Sequence, residues 1–245
     1  SAINHEYGHT LGLVDYYDQS NLVSPISSYD MQSGNYGDWN VYSKYSVGWL
    51  NPIIVDEKSF NGKDSIDIKI EASSLKDSAL LIPSLNYNYN GTPFDEYIMI
   101  DLFTPDGLHK YDAKDYHLTD TGVRIYHINS LYEKRTLTNE DGTTVDIGTI
   151  RNSNTSSAIS KQYGRFLIEI IQSKGINTLT SGNSSFIYSN DDLFKQGDVF
   201  DVSNYQEFFY NGLMDNSMDF GYTITIEEIN TDSIEPHAVI KISKK

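Results

Sequence analysis

Strict alternation of apolar and polar residues is the feature that most limits how this 245-residue chain can fold. Residues 65–71 read Ser-Ile-Asp-Ile-Lys-Ile-Glu. Successive side chains of a β-strand point to opposite faces, so this pattern predicts a strand with one buried face. Similar runs predict six more strands: 79–82, 97–103, 123–128, 166–171, 222–226 and 238–242. Because no helical pattern separates these runs, residues 53–245 are expected to form a mainly antiparallel β-sandwich.

A long polar stretch, residues 129–162, interrupts this series of predicted strands. Loops of that length without secondary structure are uncommon inside a domain. The turn-forming sequence Glu140-Asp141-Gly142 therefore predicts a β-hairpin within the stretch.

Residues 1–52 have a different, helical character. Ile3, Tyr7, Leu11 and Val14 recur at helical spacing, and Gly12 is suited to a left-handed helix end. A second short helix is predicted over 39–49, with Asp38 as its N-cap, before Pro52 closes the segment. The chain is therefore expected to be α+β, divided into residues 1–52 and 53–245.

Composition excludes several classes of protein. With 34 acidic and 18 basic residues the net charge is -16, which argues against binding to nucleic acid or to an anionic membrane surface. No apolar run approaches the roughly 18 residues that a membrane helix needs, so membrane insertion is not expected. The absence of cysteine excludes disulfides, thiolate zinc sites and a cysteine nucleophile.

The sequence His5-Glu6-Tyr7-Gly8-His9 is an H-E-x-x-H motif. On a helix, residues i and i+4 share a face, so both imidazoles can bind one zinc ion. Glu6 is the expected general base, because a carboxylate beside the metal can take the proton of the zinc-bound water and return it to the leaving amine.

The motif extends to Gly12 and Asp15, giving H-E-x-x-H-x-x-G-x-x-D. A turn at Gly12 would let the chain fold back and present Asp15, whose hard oxygen suits zinc as a third ligand. Asp18 is the alternative third ligand or an outer carboxylate, but the position of the glycine favours Asp15. Chance alone would produce the extended motif in about four of 100,000 sequences of this composition.

The extended motif resembles the metzincin branch of zinc peptidases, which place a methionine turn beneath the metal. Met31, within Ser28-Tyr29-Asp30-Met31-Gln32-Ser33, stands at a suitable distance. Together with the segments 34–39, 44–49, 96–100, 122–127 and 192–194, the motif is similar to the immune inhibitor A-type family of bacterial secreted metallopeptidases. The resemblance implies His5, His9 and Asp15 as zinc ligands, Glu6 as base and Met31 as the Met-turn.

The resemblance has further implications. Residues 1–52 would be the C-terminal half of a metzincin-type catalytic domain, followed by its β-sandwich, in a zinc endopeptidase that is secreted and hydrolyses extracellular proteins or peptides. The substrate-binding sheet that normally precedes the active-site helix is not in this sequence. The expected partner is therefore the upstream half of the same catalytic domain, without which this fragment is expected to be inactive.

Several candidates remain open at this stage. The oxyanion needs a partner besides zinc, and Tyr16, Tyr17, Tyr29 and Tyr36 are candidates. Calcium is the second candidate ion, for two oxygen-rich clusters whose simpler interpretation is turn formation. The clusters are Asp191 and Asp192 with Asp198, and Asp215 and Asn216 with Asp219. The four histidines outside the motif are expected to be structural: His109, His117, His127 and His237.

Two other functions compete with the endopeptidase. The β-sandwich could be a binding module for a surface protein or glycan, attached to a remnant of a peptidase domain, since many of the 19 tyrosines could form a binding face. A zinc hydrolase that acts on something other than a peptide is the third hypothesis, and it depends only on the breadth of the motif.

Overall fold

The computed structural model describes residues 2–18, 23–155, 166–180, 189–231 and 234–245. The end of the predicted polar stretch, residues 156–162, lies outside these ranges. Within these ranges there are three α-helices: α1 Ala2–Thr10, α2 Val41–Ser46 and α3 Lys110–Tyr116. The strands are β1 Ile53–Ile54, β2 Ser65–Glu71, β3 Leu80–Ile82, β4 Glu96–Phe103, β5 Gly122–Asn129, β6 Tyr132–Thr138, β7 Thr144–Ile150, β8 Ile168–Ile171, β9 Val199–Phe200, β10 Tyr222–Asn230 and β11 His237–Lys244.

The strands form two larger sheets and a separate hairpin. One sheet has the order β1-β3-β4-β5-β8, the other β2-β11-β10-β9, and β6 pairs with β7. In the part of the chain that the structure describes, every pair of strands is antiparallel except β1 with β3. The fold is therefore mixed α+β with mostly antiparallel sheets, and the seven predicted strands and the predicted hairpin are confirmed.

The two sheets share one hydrophobic core. Alternate residues of β11, namely Ala238, Ile240 and Ile242, are buried in it, while their neighbours are partly exposed. The same core takes Ile98 and Ile100 from β4 in the opposite sheet. Period-two burial of this kind is what a strand with one covered face shows.

Strands β4 and β5 differ, because every residue in them is buried. Their second face is covered by the N-terminal segment, in a separate core that joins residues from both parts of the chain. The segment contributes Tyr16, Ile26, Tyr29, Val41, Tyr42 and Leu50, and the strands contribute Tyr97, Met99, Phe103, Tyr126 and Ile128. The five-stranded sheet thus supports residues 16–50 directly, and the division at Pro52 stays a prediction.

Two local details differ from the sequence-based expectation. Helix α2 begins at Val41, and its N-cap is Asn40, whose side chain accepts the N–H of Ser43. Asp38 is instead buried beside the ammonium of Lys44, with which it forms an ion pair. Helix α3 was not expected between strands, since its sequence Lys-Tyr-Asp-Ala-Lys-Asp-Tyr has no clear apolar period. Across the described ranges, no helix has the length and apolar character that would let it cross a lipid bilayer.

Candidate metal centre

Helix α1 places the two histidines of the motif side by side. The Nε2 atoms of His5 and His9 are 3.2 Å apart, and the rings meet edge to face with their centroids separated by 4.8 Å. One helical turn separates residues i and i+4, which accounts for this juxtaposition.

Gly12 ends the helix and turns the chain. Its φ of +95° lies in the left-handed region, which glycine adopts without a Cβ penalty. The N–H groups of Leu11 and Leu13 both donate to the carbonyl of Gly8, which closes the turn. Asp15 then returns to the helix, with its Oδ1 atom 3.1 Å from Nε2 of His5 and 3.5 Å from Nε2 of His9.

The other ring nitrogen of each histidine contacts a backbone carbonyl. Nδ1 of His5 lies 2.9 Å from the carbonyl oxygen of Met31, and Nδ1 of His9 lies 2.9 Å from that of Leu13. A carbonyl only accepts, so each Nδ1 carries a proton, and a neutral ring in this tautomer presents the lone pair of Nε2. Metal-binding histidines show this arrangement, because the outer hydrogen bond fixes the tautomer and the ring orientation.

Three electron-rich atoms therefore face one another: the two Nε2 atoms and Oδ1 of Asp15. That Oδ1 atom is buried and has no hydrogen-bond donor among the described residues. Lone pairs at 3.1–3.5 Å repel one another unless a cation lies between them. Two imidazoles and one carboxylate form a ligand set that zinc accepts, so the residues present fit this ion.

The structure also locates the remaining predicted residues of this centre. Glu6 is exposed on α1, next to His5 in the chain. Asp18, the alternative ligand, is buried and forms a backbone bridge with Val23. It does not belong to either group of potential ligands that the described residues bring together.

Met31 lies in a turn, and it contacts His5 through its carbonyl group. Its side chain is buried. The turn depends on Asp30, whose carboxylate accepts the N–H groups of Gln32 and Asn40, both at 2.6 Å, and the hydroxyl of Ser43 at 2.8 Å. Burial raises the pKa of Asp30 to about 7, against the lowering effect of these hydrogen bonds.

Asp30 and Gln32 are supporting residues that sequence reasoning missed. The Oε1 atom of Gln32 accepts the indole N–H of Trp39 at 3.1 Å. Its Nε2 atom lies 3.4 Å from Nδ1 of His9, which is a contact and not a hydrogen bond while that Nδ1 donates to the carbonyl of Leu13. Both residues flank Met31 in the sequence. Their position beside Met31 was the sequence signal that could have identified them, although it does not reveal which groups they contact.

The candidate oxyanion partners fall into two groups. Tyr16 and Tyr29 are buried, and their hydroxyl groups bond to Ser43 and Asp192 respectively. Tyr36 is 54% exposed, whereas Tyr17 is only partly buried. The two buried hydroxyls bond to groups inside the core, and Tyr17 and Tyr36 are the more exposed of the four candidates.

The oxygen-rich clusters form turns and core contacts. Asp192 accepts the side-chain amide of Gln172 as well as the hydroxyl of Tyr29. Asp198 and Asp219 accept backbone N–H groups three and two residues away. Asp215 instead meets Glu96 and His127 in the second group of potential metal ligands.

Two of the four other histidines, His109 and His127, are buried. His109 is buried and stacks on Phe103, with ring centroids 4.8 Å apart, and burial holds its pKa well below the ordinary value. His127 lies in β5 between the carboxylates of Glu96 and Glu169. It is a strand residue, as expected, but it has two acidic partners rather than one ordinary hydrogen bond.

Comparison with protein-family models, with curated proteins and with solved structures finds no match to this chain.

Proposed function

We propose that this chain carries the metal centre of a zinc endopeptidase of the metzincin type, acting on extracellular proteins or peptides. The convergence of two Nε2 lone pairs and the donor-free Oδ1 of Asp15 supports the proposal. When bound, zinc would polarise the scissile carbonyl and make water a stronger nucleophile at neutral pH.

The chain's own residues would have separate tasks in that reaction. His5, His9 and Asp15 would hold the ion, and the carbonyls of Met31 and Leu13 would keep both rings in the required tautomer. Glu6 would accept a proton from the attacking water and deliver it to the leaving nitrogen. Its exposed position on α1 leaves it accessible to solvent and substrate.

The proposed partner is the upstream half of the catalytic domain. Supporting this are three apolar side chains on the segment that carries the metal motif: Ile3, Tyr7 and Val14 are 80%, 55% and 40% exposed. No described residue covers these three side chains enough to bury them. Apolar area of this kind gains about 25 cal/mol per Å² when it is covered.

Zinc binding tests the metal centre on the 245-residue chain itself. We expect one equivalent of zinc at this centre, lost in His5→Ala and in His9→Ala. Asn4→Ala is the matched control, because Asn4 is exposed on the same helix. Retention of this zinc by both histidine variants would show that the centre is elsewhere.

Activity must be measured on a chain that includes the upstream half, because that half would form one wall of the substrate cleft. Glu6→Ala should then abolish hydrolysis of a protein substrate while zinc binding persists. Full activity of that variant would contradict the assigned role of Glu6.

A binding module for a surface protein or glycan is the second candidate function. It is favoured by the hairpin β6–β7, where Leu137, Val145 and Ile147 are substantially exposed on one face. Single exposed apolar residues are ordinary, but a contiguous group often marks an interaction site. A module of this kind would keep its affinity after removal of zinc, whereas a peptidase would lose its activity.

A further inference from the structure

We propose that Glu96, His127 and Asp215 form a second, structural site for a divalent transition-metal ion. The site is independent of the histidines in α1. It would join strands β4 and β5 to the turn that contains Asp215.

The three side chains converge from distant parts of the chain. Glu96 is the first residue of β4, His127 lies near the end of β5, and Asp215 follows far along the sequence. One ligand atom from each lies within 4.8 Å of the others. Nε2 of His127 is 3.0 Å from Oε1 of Glu96, a spacing close to the 3.1 and 3.2 Å found in the candidate zinc centre.

The backbone holds this arrangement in place. The N–H groups of Asp215 and Asn216 donate to Oε1 and Oε2 of Glu96, at 2.7 and 2.9 Å. The carboxylate of Glu96 is therefore oriented by two bonds before any ion binds. Preorganisation of this kind reduces the entropic cost of binding.

Glu169 supplies the outer support that a metal-binding histidine needs. Its Oε1 atom lies 3.5 Å from Nδ1 of His127, on the far side of the ring from Glu96. A carboxylate that accepts the Nδ1 proton directs the lone pair of Nε2 toward a metal. With the ion bound, Glu169 would accept the Nδ1 proton of His127, and Nε2 of His127 and the carboxylate of Glu96 would hold the ion.

Charge balance also favours a cation. Three carboxylates, from Glu96, Glu169 and Asp215, surround one imidazole in a largely buried region. A divalent ion brings two positive charges to these carboxylates, whereas a protonated ring brings one. Buried carboxylates need cationic or hydrogen-bonding partners, and a divalent ion attracts them more strongly than a single proton on the ring does.

Asn129 provides a separate indication of a ligand. It is 1% exposed, and its Nδ2 atom donates to Oδ2 of Asp215 at 2.6 Å, so its amide group lies at the cluster. Its Oδ1 atom is buried without a hydrogen-bond partner among the described residues. Buried carbonyl oxygens are rarely left unpaired. An ion beside Asp215 would give this oxygen a partner.

The ligand chemistry selects the class of ion. Imidazole suits zinc and related transition metals, and carboxylate and amide oxygens are compatible with zinc and manganese. Calcium takes six to eight oxygen ligands, which does not suit a site with a nitrogen donor. Binding would release the Nε2 proton of His127 to solvent, because only the neutral ring is a ligand.

Zinc titration of the double variant His5→Ala, His9→Ala isolates this second site. We expect wild-type chain to bind two equivalents and the double variant one. Adding Asp215→Asn should weaken that remaining binding by at least tenfold, by analogy with the about 10–100-fold losses seen for outer-shell partners. Asp219→Asn is the matched control, since Asp219 is a neighbouring acidic residue whose side chain is 67% exposed.

The stoichiometries separate this inference from the proposed function. One equivalent in wild type and none in the double variant would overturn the second site and leave the first intact. One equivalent in both proteins would support the second site and reject the first. Calcium should bind neither protein at this site, and a calcium-specific response that requires Asp215 would overturn the assigned class of ion.

A direct measurement on the His127 ring distinguishes loss of metal binding from loss of folding. Nitrogen NMR of the double variant should show Nε2 without its proton once zinc is added, and the signal of a metal-bound imidazole. The rival arrangement is an ion pair in which a protonated His127 stays between Glu96 and Glu169. Although burial lowers the pKa of His127, these glutamates raise it to about 10, which favours the protonated ring. A ring that keeps both protons at saturating zinc would overturn the proposal.

Discussion

Gly8 in helix α1 lies so close to the side chain of Gln32 that a Cβ atom at this position would be 2.2 Å from Oε1. Gly8 is also the only buried residue of that helix. Because Gly8 has no side chain, α1 can pack closely against Gln32. The indole N–H of Trp39 donates a hydrogen bond to Oε1 of Gln32. The contact of Gly8 with Gln32, together with the bond of His5 to the carbonyl of Met31, joins α1 to the methionine turn.

Replacement of Gly8 by alanine should weaken zinc binding. Alanine favours the helix intrinsically by about 1 kcal/mol, so a loss cannot come from helix propensity. It would come from displacement of Gln32 or of α1, and we expect about tenfold lower affinity in a competition titration. Asn4→Ala, on the exposed part of the same helix, should leave the affinity unchanged. Equal affinities for both variants would refute this role of Gly8.

Gly12→Ala should reduce zinc affinity for a different reason. The added Cβ meets no atom within 4 Å, but φ of +95° is unfavourable for alanine by about 1 kcal/mol or more. Relief of that strain would move Asp15 away from the histidines. Gly62→Ala is the control, because Gly62 has φ of +79° and equally open surroundings far from the motif. Both variants should lose stability in urea, whereas only Gly12→Ala should lose zinc.

Because of Asp30, the free energy of unfolding should fall as pH rises. Its folded pKa of about 7 exceeds the ordinary value of 3.8, so the folded state binds more protons between these values. The contribution of the protonated form is present below about pH 4 and is lost as pH approaches 7. The free energy of unfolding of the zinc-free chain, measured in urea across this interval, should fall more for wild type than for Asp30→Asn. Parallel pH profiles would contradict this prediction.

Asp30→Asn should also lower the free energy of unfolding at every pH. Its Nδ2 group would face donors that now bond to the carboxylate, which costs about 1–3 kcal/mol for an unsatisfied buried group. The matched substitution Asp141→Asn lies in an exposed hairpin turn, and we expect a smaller loss there.

The buried pair of Arg124 and Asp101 should be essential for folding stability. Nε of Arg124 donates to Oδ1 of Asp101 at 2.9 Å, and its Nη2 group donates to Oδ2. Asp101→Asn would leave the guanidinium without its counter-ion, so we expect a loss of about 3–5 kcal/mol in urea unfolding. Breaking the exposed pair of Lys195 and Asp120 with Asp120→Asn should cost about 1 kcal/mol or less. Similar losses for both variants would show that burial does not decide the effect.

Strand pattern was the part of the fold that could be predicted best. The run at 65–71 became β2, and the turn at 140–142 became the hairpin between β6 and β7. These features depend on alternation and on turn residues, which are local properties of the chain. The complete burial of β4 and β5 was not predicted, because it results from residues 16–50 packing on their outer face.

Within the candidate zinc centre, sequence spacing predicted which side chains meet. His5 and His9 are one helical turn apart, and the turn at Gly12 brings Asp15 back within eleven residues. Short separations of this kind are governed by backbone geometry, which residue type controls directly. The zinc and peptidase functions stay predictions until the ion and the activity are measured.

The sequence by itself thus determined the helical spacing of His5 and His9, the turn at Gly12 and the alternation of the strands. Only the tertiary structure decided that Gln32 supports Gly8, and that Asp215 reaches Glu96 across a separation of 119 residues. The physical reason is that local dihedral preferences act over a few residues. Contacts between distant residues depend on how complete sheets and turns pack together, which no short pattern encodes.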